Sequence, residues 1–82
     1  MDESKVLNLM TAGDKRAVMK FADANMNLSK AARLAYLSRR AVWYRLNKVR
    51  NNTGFDPYDF HDLALLVRAI ENERRRYDEQ QQ

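Results

Sequence analysis

Apolar residues along this chain recur at spacings of three and four positions, which places them on one face of an α-helix. The pattern predicts a first helix over about 4–12, with Ser4 as its N-cap and Gly13 as its stop. A second helix is predicted over about 14–25, with Asp14 as its cap. The apolar positions that define these two faces are Val6, Leu9, Met10, Val18, Phe21 and Ala22.

The centre of the chain is typical of two short helices joined by a tight turn. The first helix, about 29–35, is rich in small residues that allow close helix approach, and the second covers about 39–51. The turn is Tyr36-Leu37-Ser38, in which Ser38 is a good N-cap for the second helix. Spacings of four and three predict a buried stripe in that helix at Val42, Leu46 and Val49.

A long helix is predicted at the C-terminal end, from about 57 to 77. Gly54 is expected to end the preceding helix in the left-handed conformation. Asp56 is the expected cap of the long helix, and Pro57 its first residue, where a missing N–H does no harm. Its apolar stripe, which Arg74 interrupts, is Phe60, Leu63, Val67, Ile70 and Tyr77. With two glycines and one proline, the chain is expected to be all-α.

Charge is distributed unevenly along the chain. The net charge is +4, yet no acidic residue occurs between Asp23 and Asp56. That window holds seven basic residues, which are Lys30, Arg33, Arg39, Arg40, Arg45, Lys48 and Arg50. A concentrated positive field on a helix pair indicates a polyanionic partner, and double-stranded DNA is the first expectation.

Other functional classes find little support in the sequence. The chain has no cysteine, and His61 is its one histidine, so neither a disulfide nor a zinc site is expected. The two glycines, Gly13 and Gly54, are isolated, and no nucleophile pattern supports catalysis. We therefore expect a protein that is not an enzyme and binds no cofactor, metal or evident small-molecule ligand.

The first residues give no sign of a signal peptide, because no basic stretch is followed by an apolar one. No apolar run approaches the roughly 20 residues that a membrane-spanning helix needs. A soluble, cytoplasmic protein with no membrane contact is expected. At 82 residues, the chain is expected to form a single domain, a small helix-turn-helix bundle of four to five helices.

The central helix pair meets the requirements of a helix-turn-helix motif. Such a motif needs small residues where the helices cross, an apolar residue in the turn, and apolar anchors under the recognition helix. Ala32, Leu37, Val42 and Leu46 supply these. An ordinary helical bundle has the same core spacing, so the pattern alone leaves both interpretations open. The acid-free, arginine-rich face favours DNA binding.

The stretch from Ser38 to Pro57 resembles the C-terminal helix-turn-helix domain of PucR-type transcriptional regulators. The shared features are Arg39 near the start of the recognition helix, Tyr44-Arg45-Leu46, and the turn Thr53-Gly54-Phe55-Asp56. The upstream segment Asn27 to Leu34 also matches, and the resemblance covers about 15–71. It implies a DNA-binding domain of the broader Fis-type group and a role in transcription regulation.

The chain departs from that family at several positions. The family usually has His-Arg-Asn-Thr where this chain has Ser38-Arg39-Arg40-Ala41, so its base preference is expected to differ. Tyr36 occupies a turn position where Fis-type domains often have glycine, so either some backbone strain or a different turn is expected there. PucR-type proteins also carry long sensory regions before this domain. The chain is therefore either a stand-alone DNA-binding protein or a piece of a larger one.

Five residues of the recognition helix are candidates for contact with DNA bases. Arg39 and Arg40 open the helix, and arginine is the commonest reader of guanine. Trp43 and Tyr44 are expected to contact sugar, phosphate or thymine methyl groups, unless one of them closes the core against the final helix. Asn47 is either a reader of adenine, a phosphate contact or a solvated surface residue.

A second group of residues is expected to contact phosphates. Ser29 and Lys30 begin the supporting helix, and a helix N-terminus can bind phosphate through its free N–H groups. The other candidates in this group are Ser38, Arg45, Lys48 and Arg50. Any of the last three could instead pair with a carboxylate of the final helix.

The final helix is expected to support a homodimer, because two-fold pairing lets a small helix-turn-helix read two half-sites. Val67, Ile70 and Tyr77 are the predicted seam. A different class of function also fits the sequence, namely a helical protein-interaction adaptor whose basic face binds an acidic protein partner. Dependence of affinity on base sequence would distinguish the two.

Overall fold

The computed structural model describes residues 2–81, which contain five α-helices and no β-strand. The all-α bundle with a long C-terminal helix is therefore confirmed. The helices are α1 (Glu3–Asn8), α2 (Ala12–Asp23), α3 (Leu28–Ala35), α4 (Arg39–Thr53) and α5 (Phe60–Gln81).

Helix α2 is the centre of the bundle. It packs against α3, α4 and α5, while α3 and α4 also pack against each other, and α1 lies on α5. The largest apolar side chains without appreciable exposure are Phe21, Leu46, Leu66, Ile70, Val18, Val42 and Val49. Burying one such side chain stabilises the fold by about 1.5–3 kcal/mol. The helix pair α3–α4 is thus held on α2 by its inner face.

The turn between α3 and α4 contains the strain expected at Tyr36. This residue has φ 57° and ψ 40°, the left-handed conformation that a Schellman motif usually gives to glycine. The motif's two bonds are present, since the N–H of Leu37 donates to Ala32 (2.9 Å) and that of Tyr36 to Arg33 (3.2 Å). A left-handed residue with a Cβ costs roughly 1–2 kcal/mol. Immediately after the turn, Ser38 caps α4 as predicted.

The predicted boundaries of the first two helices were wrong. Asp2, not Ser4, caps α1, which ends at Asn8. Gly13 does not stop a helix but lies inside α2, whose N-cap is Thr11. Asp14 is therefore the third residue of α2 rather than its cap, and it completes a capping box. The Asp14 N–H donates to Thr11 Oγ1 (3.1 Å), and the Thr11 N–H donates to Asp14 Oδ2 (2.9 Å).

Asp14 also receives two cations from α4, although its side chain has no exposed surface. Arg45 Nη1 lies 3.2 Å from Oδ1, and Lys48 Nζ lies 3.2 Å from Oδ2. Burial by itself raises the pKa of Asp14. The hydrogen bonds from the Thr11 backbone, Arg45, Lys48 and the Thr11 hydroxyl outweigh burial and hold that pKa below its ordinary value of 3.8. The carboxylate is therefore charged in the folded protein at neutral pH.

The predicted start of the long helix, at about 57, was also wrong. Helix α5 begins at Phe60, and Asp59 Oδ1 accepts the N–H of Asp62 at 3.0 Å. The reason is a turn before it, in which Asp56 Oδ1 accepts the N–H of Tyr58 at 2.9 Å. Pro57 is buried in this turn.

Two aromatic residues beside that turn differ in their surroundings: one packs against a ring of α2, and the other is exposed. The Tyr58 ring meets Phe21 edge to face, with 5.2 Å between ring centroids. Phe60, predicted in the buried stripe, is instead 67% exposed. Phe60 is the first residue of α5, and its ring lies against the exposed His61 instead of the core.

Polar contacts hold the distal part of α5 to the rest of the bundle. Lys15 Nζ pairs with Glu73 Oε1 at 2.9 Å, which joins α2 to α5. Asn72 Nδ2 donates to Glu3 Oε1 at 3.1 Å, which joins α5 to α1. Such partly exposed pairs contribute little stability each, about 0–1 kcal/mol. The apolar side chains of α5 therefore contribute more to its packing than these pairs do.

We predict that Asp14→Asn lowers the free energy of unfolding by about 2–4 kcal/mol at pH 7, because it leaves two cations without their buried partner. The folded-state pKa of Asp14 lies below the unfolded one, so its contribution is present above pH 4 and is lost as the pH falls through the folded-state value. Urea denaturation of the wild type and of Asp14→Asn measures the difference between their free energies of unfolding. This difference should be smaller at pH 3 than at pH 7.

Asp23→Asn is the matched control, since Asp23 is an exposed acid at the other end of the same helix. It should change the unfolding free energy by less than about 0.5 kcal/mol. A stability difference between wild type and Asp14→Asn that stayed constant from pH 7 to pH 3 would contradict the proposed charge on Asp14.

Candidate nucleic-acid interface

Helix α4 has one buried face and one exposed face. Val42, Leu46 and Val49 have no exposed surface and anchor the helix on the core. On the outer side, Trp43 is 50% and Tyr44 62% exposed. Neither aromatic residue closes the core against α5, so that alternative is wrong. Large apolar rings that remain in solvent on a short basic helix suit contact with a partner.

The start of α4 presents two arginines to solvent. Arg39 and Arg40 are both exposed, and within residues 2–81 no carboxylate lies at ion-pair distance from either one. Arg39 Nη1 lies 3.5 Å from Ser29 Oγ, which connects the first turn of α4 to the first turn of α3. The structure therefore leaves both guanidinium groups available for a ligand.

Arg45 and Lys48 lie on the side of α4 that faces α2. Their side chains are 38% and 32% exposed, and both are paired with Asp14. The alternative that these cations pair with a carboxylate of the final helix was wrong for Arg45 and Lys48, since their partner Asp14 belongs to α2. Arg50 is exposed on the same helix and has no ion pair among the described residues. Two cations of α4 are thus paired with Asp14, and the remaining cations of this helix are exposed.

Asn47 is half-buried and its amide is turned back onto α4. Its Nδ2 donates to the carbonyl oxygen of Trp43 at 2.8 Å. This bond uses one of the two N–H groups of the amide, whereas a bidentate adenine contact needs one N–H group and the amide oxygen. The bond to Trp43 therefore holds the Asn47 amide against the backbone of α4 and leaves one N–H group and Oδ1 for a base.

Helix α3 begins one residue earlier than expected, and its cap is Asn27. The Asn27 Oδ1 accepts the N–H of Lys30 at 3.0 Å, so this N–H is not free for a phosphate. Ser29 is half-buried, while the side chain of Lys30 is exposed. Lys30 keeps its charge available at the start of the supporting helix.

Two shallow depressions flank Tyr44 on the surface of α4. One is lined by Trp43, Tyr44, Asn47, Lys48, Asn51 and Asn52. The other is lined by Ser38, Arg40, Ala41, Tyr44, Arg45 and Lys48. Tyr44 and Lys48 border both depressions. The outer face of α4 is therefore a ridge of aromatic and basic side chains with room on either side.

The predicted dimer seam is largely used inside the single chain. Ile70 is 2% exposed and belongs to the core, so its assignment to a surface seam is corrected. Val67 is half-buried and packs against the same core. Tyr77 is 62% exposed. The apolar stripe of α5 is long because α2 and α1 both pack against it. Its length therefore does not require a second copy of the chain.

Within residues 2–81, no group of three or more histidine, cysteine, aspartate or glutamate side chains could hold a metal ion. His61 is exposed, and its ring lies edge to face against Phe60 at 5.6 Å between centroids. None of the described helices combines the length and apolar composition needed to cross a membrane.

Sequence reasoning missed the contribution of α2 to this surface. Thr11, Gly13 and Asp14 contact Arg45 but lie more than thirty positions before it. The spacing Thr11-x-x-Asp14 is a capping-box signature and was the one local signal available. It predicts the start of the helix but not the cations that meet it.

A comparison with protein families matches this chain over residues 16–71 to the PucR C-terminal helix-turn-helix domain. Neither the curated proteins nor the solved structures that were compared contain a match. The matched segment includes all of α3 and α4, the helix pair whose outer face carries the exposed cations. Because the match covers more than half of its length, this chain belongs to the family of PucR C-terminal helix-turn-helix domains.

Proposed function

We propose that this protein binds double-stranded DNA sequence-specifically and acts as a transcriptional regulator, with α4 as the recognition helix. The observation that carries the proposal is the outer face of α4. It combines two exposed arginines at the N-terminal end, with no ion pair within residues 2–81, and exposed aromatic rings along the helix. Membership of a helix-turn-helix family supports it.

The docking geometry of such motifs agrees with the positions of the charged side chains. A recognition helix enters the major groove with its N-terminal residues nearest the base edges. Arg39 and Arg40 are those residues, and arginine forms bidentate bonds to guanine O6 and N7. Trp43, Tyr44 and Asn47 follow along the helix. They are proposed to contact bases, thymine methyl groups or sugars.

Phosphate contacts are proposed on both sides of this helix. Lys30 and Ser29 lie at the start of α3, and Ser38 lies at the start of α4. Arg45, Lys48 and Arg50 extend the positive surface along α4. The segment from 24 to 55 has no acidic residue, and Asp14 offsets only one of the positive charges of this surface, so phosphates meet a net attractive field. A DNA-bound regulator of this kind is expected in the cytoplasm.

We also propose that the protein acts as a homodimer, with Tyr77 and the exposed end of α5 as the remaining part of the seam. Two-fold pairing presents two recognition helices about 34 Å apart, one turn of DNA. The support is the exposure of Tyr77, together with the limited affinity of a single small helix-turn-helix. Ile70 contributes to this proposal only by fixing α5 on the core.

Duplex binding should depend steeply on salt. If about four to six cations neutralise phosphates, the slope of log K against log salt is roughly −4 to −5. Fluorescence anisotropy with a labelled duplex from 50 mM to 300 mM salt measures this slope. A slope near zero, or no duplex binding at low salt, would refute the DNA-binding proposal.

Arg39→Ala and Arg40→Ala should each weaken binding to a selected sequence by about 1–3 kcal/mol and relax preference at one base pair. Selection of bound sites from a random duplex library identifies the sequence and reports the relaxed position. Lys30→Ala should weaken selected and random duplexes equally, because a phosphate contact carries no base information.

Arg68→Ala is the matched control, since Arg68 is an exposed arginine on α5, outside the proposed interface. It should leave both affinities unchanged. Equal losses on selected and random DNA for Arg39→Ala and Arg40→Ala would move these residues to the phosphate-contacting group. Affinity for an acidic protein but none for any duplex would favour the adaptor function instead.

Sedimentation velocity at micromolar concentrations should give a mass twice that of one chain, and Tyr77→Asp should reduce it to the mass of the monomer. Tyr77 is exposed, so the variant should keep its helical content by circular dichroism. A wild-type protein that sediments as a monomer and binds its operator as one copy would contradict the homodimer.

A further inference from the structure

The guanidinium group of Arg45 lies directly over Gly13. A Cβ atom at position 13 would lie 2.6 Å from Nη1, 2.8 Å from Cζ and 3.1 Å from Nη2 of Arg45. No alanine can occupy this position while the guanidinium stays where it is. Glycine within a helix is less favourable than alanine, so local helix propensity gives no reason for it here.

Two further groups on α2 hold the same guanidinium from one side. Arg45 Nη1 donates to Thr11 Oγ1 at 3.3 Å and to Asp14 Oδ1 at 3.2 Å. These two bonds use both protons of Nη1. Asp14 is fully buried, and its other oxygen is bound by the Thr11 N–H and paired with Lys48. The carboxylate therefore cannot turn away, and the orientation of Arg45 is fixed.

The opposite edge of the guanidinium remains open. Within the described residues, Nη2 and Nε of Arg45 have no hydrogen-bond partner, and the side chain is 38% exposed. Together with Arg40 and Tyr44, Arg45 lines one of the depressions along the outer face of α4. Two parallel N–H groups on a fixed plane are the geometry that binds a phosphate bidentately.

We propose that Thr11, Gly13 and Asp14 are positioning residues that orient Arg45 to bind a phosphate of the DNA backbone. The proposal rests on the proposed DNA binding and deepens it. A guanidinium that is already ordered loses less conformational freedom on binding, so its contact contributes more to affinity. Asp14 carries one negative charge against two cations, so the cluster keeps a net positive charge that attracts phosphate.

The three positioning residues lie outside the segment that matches the family, which begins at residue 16. The residue that they orient lies inside it. The start of α2 therefore contributes to the interface, although the motif itself consists of α3 and α4. The same cluster could also have a purely structural role, which is to join α2 to α4. An experiment must therefore distinguish this role from the positioning of Arg45.

Gly13→Ala tests the positioning role, because its Cβ displaces the guanidinium of Arg45 and leaves the Lys48–Asp14 pair to join α2 to α4. We expect it to lower the free energy of unfolding by less than Asp14→Asn does, since Asp14 keeps Lys48 and its two Thr11 bonds and alanine is the better helix former. Affinity for the selected duplex should fall about tenfold, the effect expected from losing one charge-assisted contact. The slope of log K against log salt should become shallower by about 0.9.

A double-mutant cycle then tests whether the loss passes through Arg45. Arg45→Ala alone should weaken duplex binding by a similar factor, and adding Gly13→Ala to it should cause no further loss. Arg50→Ala is the matched control, because Arg50 is an exposed cation of the same helix and does not contact Gly13. The factors by which Gly13→Ala and Arg50→Ala weaken duplex binding should multiply in the double variant.

The outcomes distinguish this inference from the proposed function. A wild-type protein that binds no duplex at low salt refutes the proposed function. A wild-type protein that binds, with Gly13→Ala binding equally well or more tightly, refutes only the positioning of Arg45. The positioning of Arg45 is also refuted if the factors by which Gly13→Ala and Arg45→Ala weaken duplex binding multiply in the double variant. The effect of Gly13→Ala on affinity then does not pass through Arg45, whatever its effect on stability.

Discussion

A carboxylate with no access to solvent must be neutralised from within the protein, and Asp14 meets this requirement through two cations of α4. Its capping-box bonds fix it at the start of α2. Helix α4 is therefore attached to the central helix by charge as well as by apolar packing. The two ion pairs add directional bonds to the packing of Val42 and Leu46.

This attachment divides the basic residues into groups with different roles. Arg45 and Lys48 compensate a buried charge, so they contribute less free charge than the sequence suggests. Among residues 2–81, Arg39 and Arg40 have no such ion-pair partner, and they extend from the first turn of α4. The side chain is thus held in place at Arg45, where a phosphate contact is proposed, and carries no ion pair at the two proposed base readers. That arrangement suits a surface on which phosphate contacts set the register and arginines read bases.

The α3–α4 turn and helix α5 show how the bundle tolerates an unfavourable backbone conformation. The Schellman bonds and the packing of α3 on α4 hold Tyr36 in the left-handed conformation. Helix α5 contributes Leu63, Leu66 and Ile70 to the core, which stabilises the bundle against that strain. Its covered stripe explains why a long apolar pattern need not indicate a second copy.

The sequence by itself determined the helical fold, the helix-turn-helix and the family, because these depend on periodicity, caps and turn residues that are local along the chain. Ser38 and Gly54 were predicted as caps for that reason. The start of α5 was misplaced because both Asp56 and Asp59 can cap a helix: Asp56 instead closes a turn that contains the buried Pro57, and Asp59 accepts the N–H of Asp62 at the start of α5. The tertiary structure alone decided the roles of Gly13, Asp14 and Arg45, since a contact between residues more than thirty positions apart depends on how α2 and α4 pack.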